Sequence, residues 1–163
     1  MDALVEALKS EMPADDLPAL LLHGDSRLDN LMFVPGTERV AAVLDWELST
    51  FGHALADLGQ FLAVQALPSD CLLPGLGGID REAAGIPTVD AQIGRYFEAI
   101  GITPCSLRLY QGFAMFRQAA MSAGLKRRAE QGTAVNETAL AFGNTMTVFA
   151  RVGLDLLDGR NPL

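Results

Sequence analysis

Cysteine and histidine are scarce in this sequence, which has 2 of each among 163 residues. Cys71 and Cys105 do not have the close spacing of a metal site, and we predict that both are reduced thiols of a cytoplasmic protein. Metal-dependent hydrolases usually recruit several His ligands or additional carboxylates. The shortage of histidine therefore disfavours a hydrolase of that kind.

Basic residues and long apolar runs are also lacking. Lys and Arg total 12 against 20 Asp and Glu, and the formal charge of −8 disfavours a nucleic-acid partner, which calls for clustered Lys and Arg. No uninterrupted apolar run is long enough to cross a bilayer, so no membrane partner is expected. The first residues, MDALVEALKSE, are acidic and amphipathic and do not resemble a signal peptide, which again predicts a cytoplasmic protein.

The length and the hydrophobic content of 50% suffice for one domain with a core, which we predict to span residues 1–163. Apolar residues at helical spacing, together with capping and stop residues, predict a mainly helical α+β chain. The predicted helices are Asp2–Met12, a helix from Asp57 to the break at Pro68, Thr88–Gly101, Thr103–Glu130 and Asn136–Leu157. A Gly- and Pro-rich loop fills Pro68–Pro87, and Asp15–Pro18 is predicted to be a linker.

The stretch Leu20–Asp57 contains two apolar runs that each end in an acidic segment, His23-Gly24-Asp25 and Asp45-Trp46-Glu47. Between them, two β-prone runs flank Pro35-Gly36-Thr37-Glu38, a pattern typical of a hairpin. The hairpin would bring Asn30, before its first strand, close to Asp45, after its second. Asp25, Asn30 and Asp45 are therefore expected around one small volume.

These three residue types fit phosphoryl transfer. A carboxylate at Asp25 can orient or deprotonate an attacking hydroxyl, while Asn30 and Asp45 can hold Mg²⁺ on the phosphates of ATP. The spacing Asp-x-x-x-x-Asn from Asp25 to Asn30 is that of a kinase catalytic loop. The alternatives are a turn-capping Asp25, a turn residue at Asn30 and solvated acids at Asp45 and Glu47.

The segments HGDSRLDN and VLDWE resemble the kinase-like aminoglycoside phosphotransferase and choline kinase superfamily. The longer text, which ends in LPGLGGID, is similar to the phosphotransferase domains of acyl-CoA dehydrogenase family members ten and eleven. The resemblance implies a protein-kinase-like C-terminal lobe with a small β-hairpin region at its active site. Ser26 departs from the aromatic residue expected after HGD.

The resemblance also implies roles for three neighbours of the site. His23 would support the loop, Arg27 would neutralise the transferred phosphate, and Asp57 would anchor the catalytic loop from the start of a helix. A solvated Arg27 and an Asp57 that only caps its helix remain the alternatives. His53 is predicted to lie in a loop without chemistry.

A complete kinase-like phosphotransferase also needs an N-terminal lobe that supplies a Lys to the nucleotide phosphates. No Gly-rich phosphate loop precedes Leu20, and Lys9 lies in the first predicted helix, so we expect that lobe to be absent. The predicted function is transfer of the ATP γ-phosphate to a hydroxyl of a small molecule, either a hydroxyacyl compound or an aminoglycoside-like acceptor. The alternative is a non-catalytic binding or assembly module. The exposed lobe interface is expected to pair two copies as a homodimer.

Overall fold

The structure is a computed structural model that describes residues 1–11, 19–132 and 141–160. Its helices are α1 (Asp2–Ser10), α2 (Leu55–Gln65), α3 (Val89–Ile100), α4 (Arg108–Glu130) and α5 (Met146–Leu157). Its strands are β1 (Ala19–Leu22), β2 (Leu31–Phe33), β3 (Val40–Val43) and β4 (Thr50–His53). Short 3₁₀ helices follow at Leu28–Asn30 and Trp46–Leu48.

The strands form two small antiparallel sheets rather than one. β2 and β3 pair with Leu31 opposite Val43, which confirms the predicted hairpin, and Gly36 occupies its turn with a positive φ of 72°. β1 pairs with β4, with Leu22 opposite Thr50. The prediction that His53 lies in a loop is wrong, because β4 includes it.

The helix boundaries differ from the sequence-based ones at several ends. Thr88 caps α3 by accepting a hydrogen bond from the backbone N–H of Ala91 at 3.2 Å, and Gly101 ends the helix with a φ of 69°, both as predicted. α4 begins at Arg108, so the predicted start at Thr103 is wrong. α2 begins at Leu55, two residues before the predicted start at Asp57.

The last predicted helix, Asn136–Leu157, is interrupted. Its first residues lie outside the described part of the chain, as do Met12 and the predicted linker Asp15–Pro18. The backbone turns at Asn144 and Thr145, and the Thr145 hydroxyl donates to the Phe142 carbonyl at 2.6 Å. A threonine hydroxyl that bonds a nearby carbonyl competes with the helical pattern, and α5 starts only after it. The loop predicted at Pro68–Pro87 contains no helix or strand, only an isolated bridge between Pro68 and Gly77.

Two apolar clusters hold the helices together. In the larger cluster, Leu4 of α1, Met115 of α4 and Phe149 of α5 are fully buried. The smaller cluster joins α2 to α3 through Leu62 and Phe97. Full burial of one such side chain contributes about 1.5–3 kcal/mol. The helices therefore form a packed core, and the loops between the strands are positioned against it.

None of the helices in the described ranges combines the length and the apolar composition that a bilayer crossing requires.

Candidate active site

Asp57, in the first turn of α2, binds the backbone of the loop that follows β1. Its two carboxylate oxygens accept hydrogen bonds from the backbone N–H groups of His23, at 2.6 Å, and Gly24, at 2.9 Å. The N-cap position of α2 is Ala54, so Asp57 does not cap its own helix. A carboxylate that accepts two backbone bonds holds this loop at a fixed distance from the helical core.

The buried ring of His23 joins this loop to the segment after β3. Its Nδ1 accepts from the backbone N–H of Asp25 at 3.2 Å, so Nε2 carries the proton and donates to the Leu44 carbonyl at 2.7 Å. The ring also lies 4.7 Å from the indole of Trp46. Because both ring nitrogens are occupied, His23 has a positioning geometry and not that of a proton carrier.

Gly24 is required for the close approach of two loops. Its φ is +83°, and a Cβ there would overlap the carbonyl oxygen of Leu48. Its own carbonyl accepts a hydrogen bond from Nη2 of Arg117, on α4, at 3.0 Å. Sequence analysis missed Arg117, since nothing in the composition of a long helix marks one Arg as a partner of a loop 93 positions away.

Asp25, Arg27 and Asn30 are brought together, as the spacing predicted for Asp25 and Asn30. The Asn30 amide donates to the carbonyl of Asp25 at 2.8 Å and to its Oδ2 at 3.1 Å. Nε of Arg27 donates to the same Oδ2, also at 3.1 Å. Among the described residues, Oδ1 of Asp25 accepts no hydrogen bond. The carboxylate is therefore fixed by two donors on Oδ2, and its Oδ1 remains able to accept a further hydrogen bond.

The orientation of the Asn30 amide follows from these bonds. Both acceptors on Asp25 require the NH₂ group, so the amide oxygen points elsewhere and makes no hydrogen bond with the described residues. Asn30 also lines a cavity of about 230 Å³ together with Arg27 and Trp46. A neutral amide oxygen at a cavity wall is a suitable ligand for Mg²⁺.

Asp45 follows Leu44 in the sequence, and the Leu44 backbone N–H donates to the Asn30 carbonyl at 2.8 Å. This bond brings the backbone of Asp45 close to Asn30. Asp45 has a φ of 65°, and it is the one non-glycine residue with positive φ in the described ranges. Such a conformation is costly for a residue with a side chain and is often found at functional sites. Its exposed carboxylate makes no hydrogen bond to Asp25, Arg27 or Asn30 within the described chain.

Within the described ranges, no group of three or more His, Cys, Asp and Glu side chains is placed to hold a metal ion. A metal at this site would therefore depend on Asn30, Asp45 and the oxygens of a nucleotide. That donor set matches the coordination preference of Mg²⁺, which usually binds water molecules and substrate phosphates and few protein ligands.

Two tyrosines that sequence analysis did not single out as site residues make polar contacts near the site. Tyr96 of α3 donates to the Ala54 carbonyl at 2.8 Å, and burial, reinforced by the negative charge of Asp57, raises the pKa of its phenol. The hydroxyl oxygen of Tyr110, on α4, lies 3.0 Å from Nε2 of His53, and the two rings stack with their centroids 4.7 Å apart. Aromatic residues at helical spacing gave no signal for these bonds.

The family model described as the phosphotransferase enzyme family matches residues 1–110. Mouse acyl-CoA dehydrogenase family member 11 is 36% identical over 96% of this chain and 20% of its own length, and mouse family member 10 is 37% identical over 95% and 15%. The chain thus spans about a fifth or less of these relatives. A solved structure of a candidate aminoglycoside phosphotransferase of Ralstonia eutropha superposes with a TM-score of 0.88 at 35% identity, over 97% of this chain and 48% of that one.

These matches confirm both the resemblance inferred from HGDSRLDN and VLDWE and the predicted fold class, an α+β lobe of the protein-kinase-like type. The chain belongs to the phosphotransferase enzyme family.

Proposed function

We propose that this chain provides the catalytic loop of an ATP-dependent kinase that phosphorylates a hydroxyl group of a small molecule. The observation that carries the proposal is the fixed carboxylate of Asp25, held on one oxygen by Asn30 and Arg27 and open on the other. Such an arrangement matches the requirement that the base be oriented before the acceptor arrives.

The transfer step balances with Asp25 as the base. The acceptor hydroxyl gives its proton to Oδ1 of Asp25, and its oxygen forms a bond to the γ-phosphorus as the bond from that phosphorus to the β-phosphate oxygen breaks. ADP then leaves with the bonding electrons. Arg27 keeps guanidinium N–H groups beyond the one on Asp25, and these would neutralise charge on the transferred phosphate.

Asn30 and Asp45 are the residues that would hold Mg²⁺ on the nucleotide. Bound there, the ion would supply positive charge to the β- and γ-phosphate oxygens. The free amide oxygen of Asn30 and the exposed carboxylate of Asp45 support this assignment, and His23 and Asp57 would keep the loop between them in place.

The acceptor is proposed to be a hydroxyacyl compound or an aminoglycoside-like molecule. The names of the two mouse relatives favour the acyl compound, whereas the name of the Ralstonia protein favours the aminoglycoside. A cytoplasmic location remains part of the proposal. A non-catalytic assembly module is the second candidate, favoured by the exposed apolar side chains on all four strands, Phe51 among them at 76% exposure.

A chimera tests the two candidates. This chain would replace the matching 48% of the Ralstonia protein, so that the remainder of that protein completes the fold. We expect transfer of labelled γ-phosphate from ATP to a hydroxylated acceptor in the presence of Mg²⁺. A folded chimera that binds ATP and phosphorylates none of a panel of hydroxyacyl compounds, aminoglycosides and choline would favour the assembly module.

A further inference from the structure

A groove of about 450 Å³ lies between α2 and α3 beside the catalytic loop. It begins at Ser26, the residue after Asp25, and its walls include Leu58, Phe61, Arg95 and Tyr96. Ser26 and Phe61 also line the smaller cavity that contains Asn30, so the two spaces share a wall. If Asp25 is the base, as proposed above, the groove lies where the rest of the acceptor molecule would bind.

The walls of the groove are fixed by hydrogen bonds that leave few polar groups free. Gln92 also lines it, and its amide donates to the Pro87 carbonyl at 3.0 Å and accepts from Gln65 at 3.0 Å. Tyr96 is bonded to the Ala54 carbonyl. These contacts orient the groove-facing side of α3 before any ligand binds.

Arg95 lies on that same side of α3, three residues after Gln92 and one before Tyr96. Its exposed side chain makes no hydrogen bond or ion pair with the described residues. The hydroxyl of Ser26 likewise has no partner within the described chain. Arg95 and Ser26 are therefore the donors that this groove offers to a ligand.

The charge of the groove argues against a cationic acceptor. Asp57 is the one carboxylate among the described residues that line it, and both of its oxygens already accept backbone N–H groups. A polyamine-like acceptor would need open carboxylates. A guanidinium instead suits a carboxylate or a phosphate, which it can bind with two parallel hydrogen bonds.

We infer that this groove binds an anionic acceptor, a hydroxylated molecule with an apolar segment and an oxyanion group, and that Arg95 determines this specificity. Leu58 and Phe61 provide the apolar contact, and Arg95 binds the oxyanion. The inference deepens the proposed function, since it selects an acyl-type acid or phosphate over an aminoglycoside.

Calorimetric titration of the full chain without nucleotide tests the groove. The probes are 3-hydroxyoctanoate and octyl phosphate as anions, 3-hydroxyoctanamide as the neutral match and kanamycin as the cation. We expect at least one anion to bind about tenfold to a hundredfold more tightly than the amide, as a charged hydrogen bond allows. The tighter of the two anions identifies carboxylate or phosphate as the preferred group.

Arg95→Gln should remove this preference without changing the affinity for the amide, and Arg95→Lys should restore part of it. Arg151→Gln removes the same charge from an exposed position on α5 and should change neither affinity. The inference is overturned if Arg95→Gln keeps the preference, if the amide or kanamycin binds as tightly as the anions, or if neither anion binds. Because no nucleotide is present, failure of phosphate transfer in the chimera would not produce any of these results.

Discussion

A single carboxylate, Asp57, connects the loop that follows β1 to the helical core by accepting hydrogen bonds from the backbone N–H groups of His23 and Gly24. We predict that Asp57→Asn costs about 1–3 kcal/mol, because its NH₂ group would face one of these donors and leave it unsatisfied. Urea unfolding measures the change in the free energy of unfolding.

Asp90→Asn is the matched control for that change. Asp90 is also an acid in the first turn of a helix, α3, but it is exposed and loses only its interaction with the helix dipole, about 0.3–1 kcal/mol. Equal losses for the two variants would show that the bonds from Asp57 to the loop contribute nothing beyond the dipole.

At the scale of single residues, sequence analysis predicted the contacts between residues that are close together in the chain. Asp25 and Asn30 are five positions apart, and their hydrogen bonds close within one loop, so residue type and spacing sufficed. The bond from Arg117 to Gly24 spans 93 positions and exists only because α4 packs under the loop. The place of Arg95 on the groove depends in the same way on how α3 packs against α2.

At the scale of elements, α2 and α4 pack so closely that one glycine decides their separation. A Cβ on Gly59 would lie 2.5 Å from Cβ of Tyr110 and 2.8 Å from its carbonyl carbon, and a backbone atom cannot move aside. We predict that Gly59→Ala destabilises the fold by about 1–3 kcal/mol, as overpacking usually does.

Gly94→Ala in α3 is the comparison, since nothing lies within 4 Å of a Cβ there. Alanine has the higher helix propensity, so this variant should be more stable by up to about 1 kcal/mol. Thermal and urea unfolding of both variants measures the two changes. The close packing at Gly59 would be contradicted if both substitutions were stabilising.

The elements that sequence analysis missed are those with weak local signals. β4 has the polar, glycine-containing sequence TFGH, which does not predict a strand, and it is extended because it pairs with β1. α4 starts later than the Thr-Pro pair at 103 predicted, since helical spacing locates an element better than its ends. By contrast, the hairpin β2–β3 carries its own turn residues and was predicted correctly.

At the scale of the whole molecule, many exposed apolar side chains lie on the four strands and on the segment between β3 and β4. Ten of them exceed 40% exposure: Leu20, Leu21, Met32, Phe33, Val40, Val43, Leu44, Trp46, Leu48 and Phe51. Apolar patches of this kind are normally covered by a partner. We predict that the 163-residue chain on its own self-associates through this surface, with a two-fold dimer as the expected assembly.

Light scattering across a concentration series measures this association. Phe51→Ser should shift the equilibrium toward monomer, because Phe51 is 76% exposed on β4. Ile79→Ser changes an exposed apolar residue outside the strands and should have no effect. A monodisperse wild-type monomer at high concentration would contradict the prediction.

We claim that Asp25 is the base of a phosphoryl-transfer site, and the rate of phosphate transfer by the chimera with Asp25→Asn measures this role. We predict a loss of about two to four orders of magnitude in the rate of γ-phosphate transfer, with nucleotide affinity nearly unchanged because the proposed role of Asp25 is toward the acceptor and not the nucleotide. Asp29→Asn is the matched control, because the exposed carboxylate of Asp29 also contacts Arg27. This variant should leave the rate of phosphate transfer nearly unchanged. An Asp25→Asn chimera with near-normal turnover would contradict the claim.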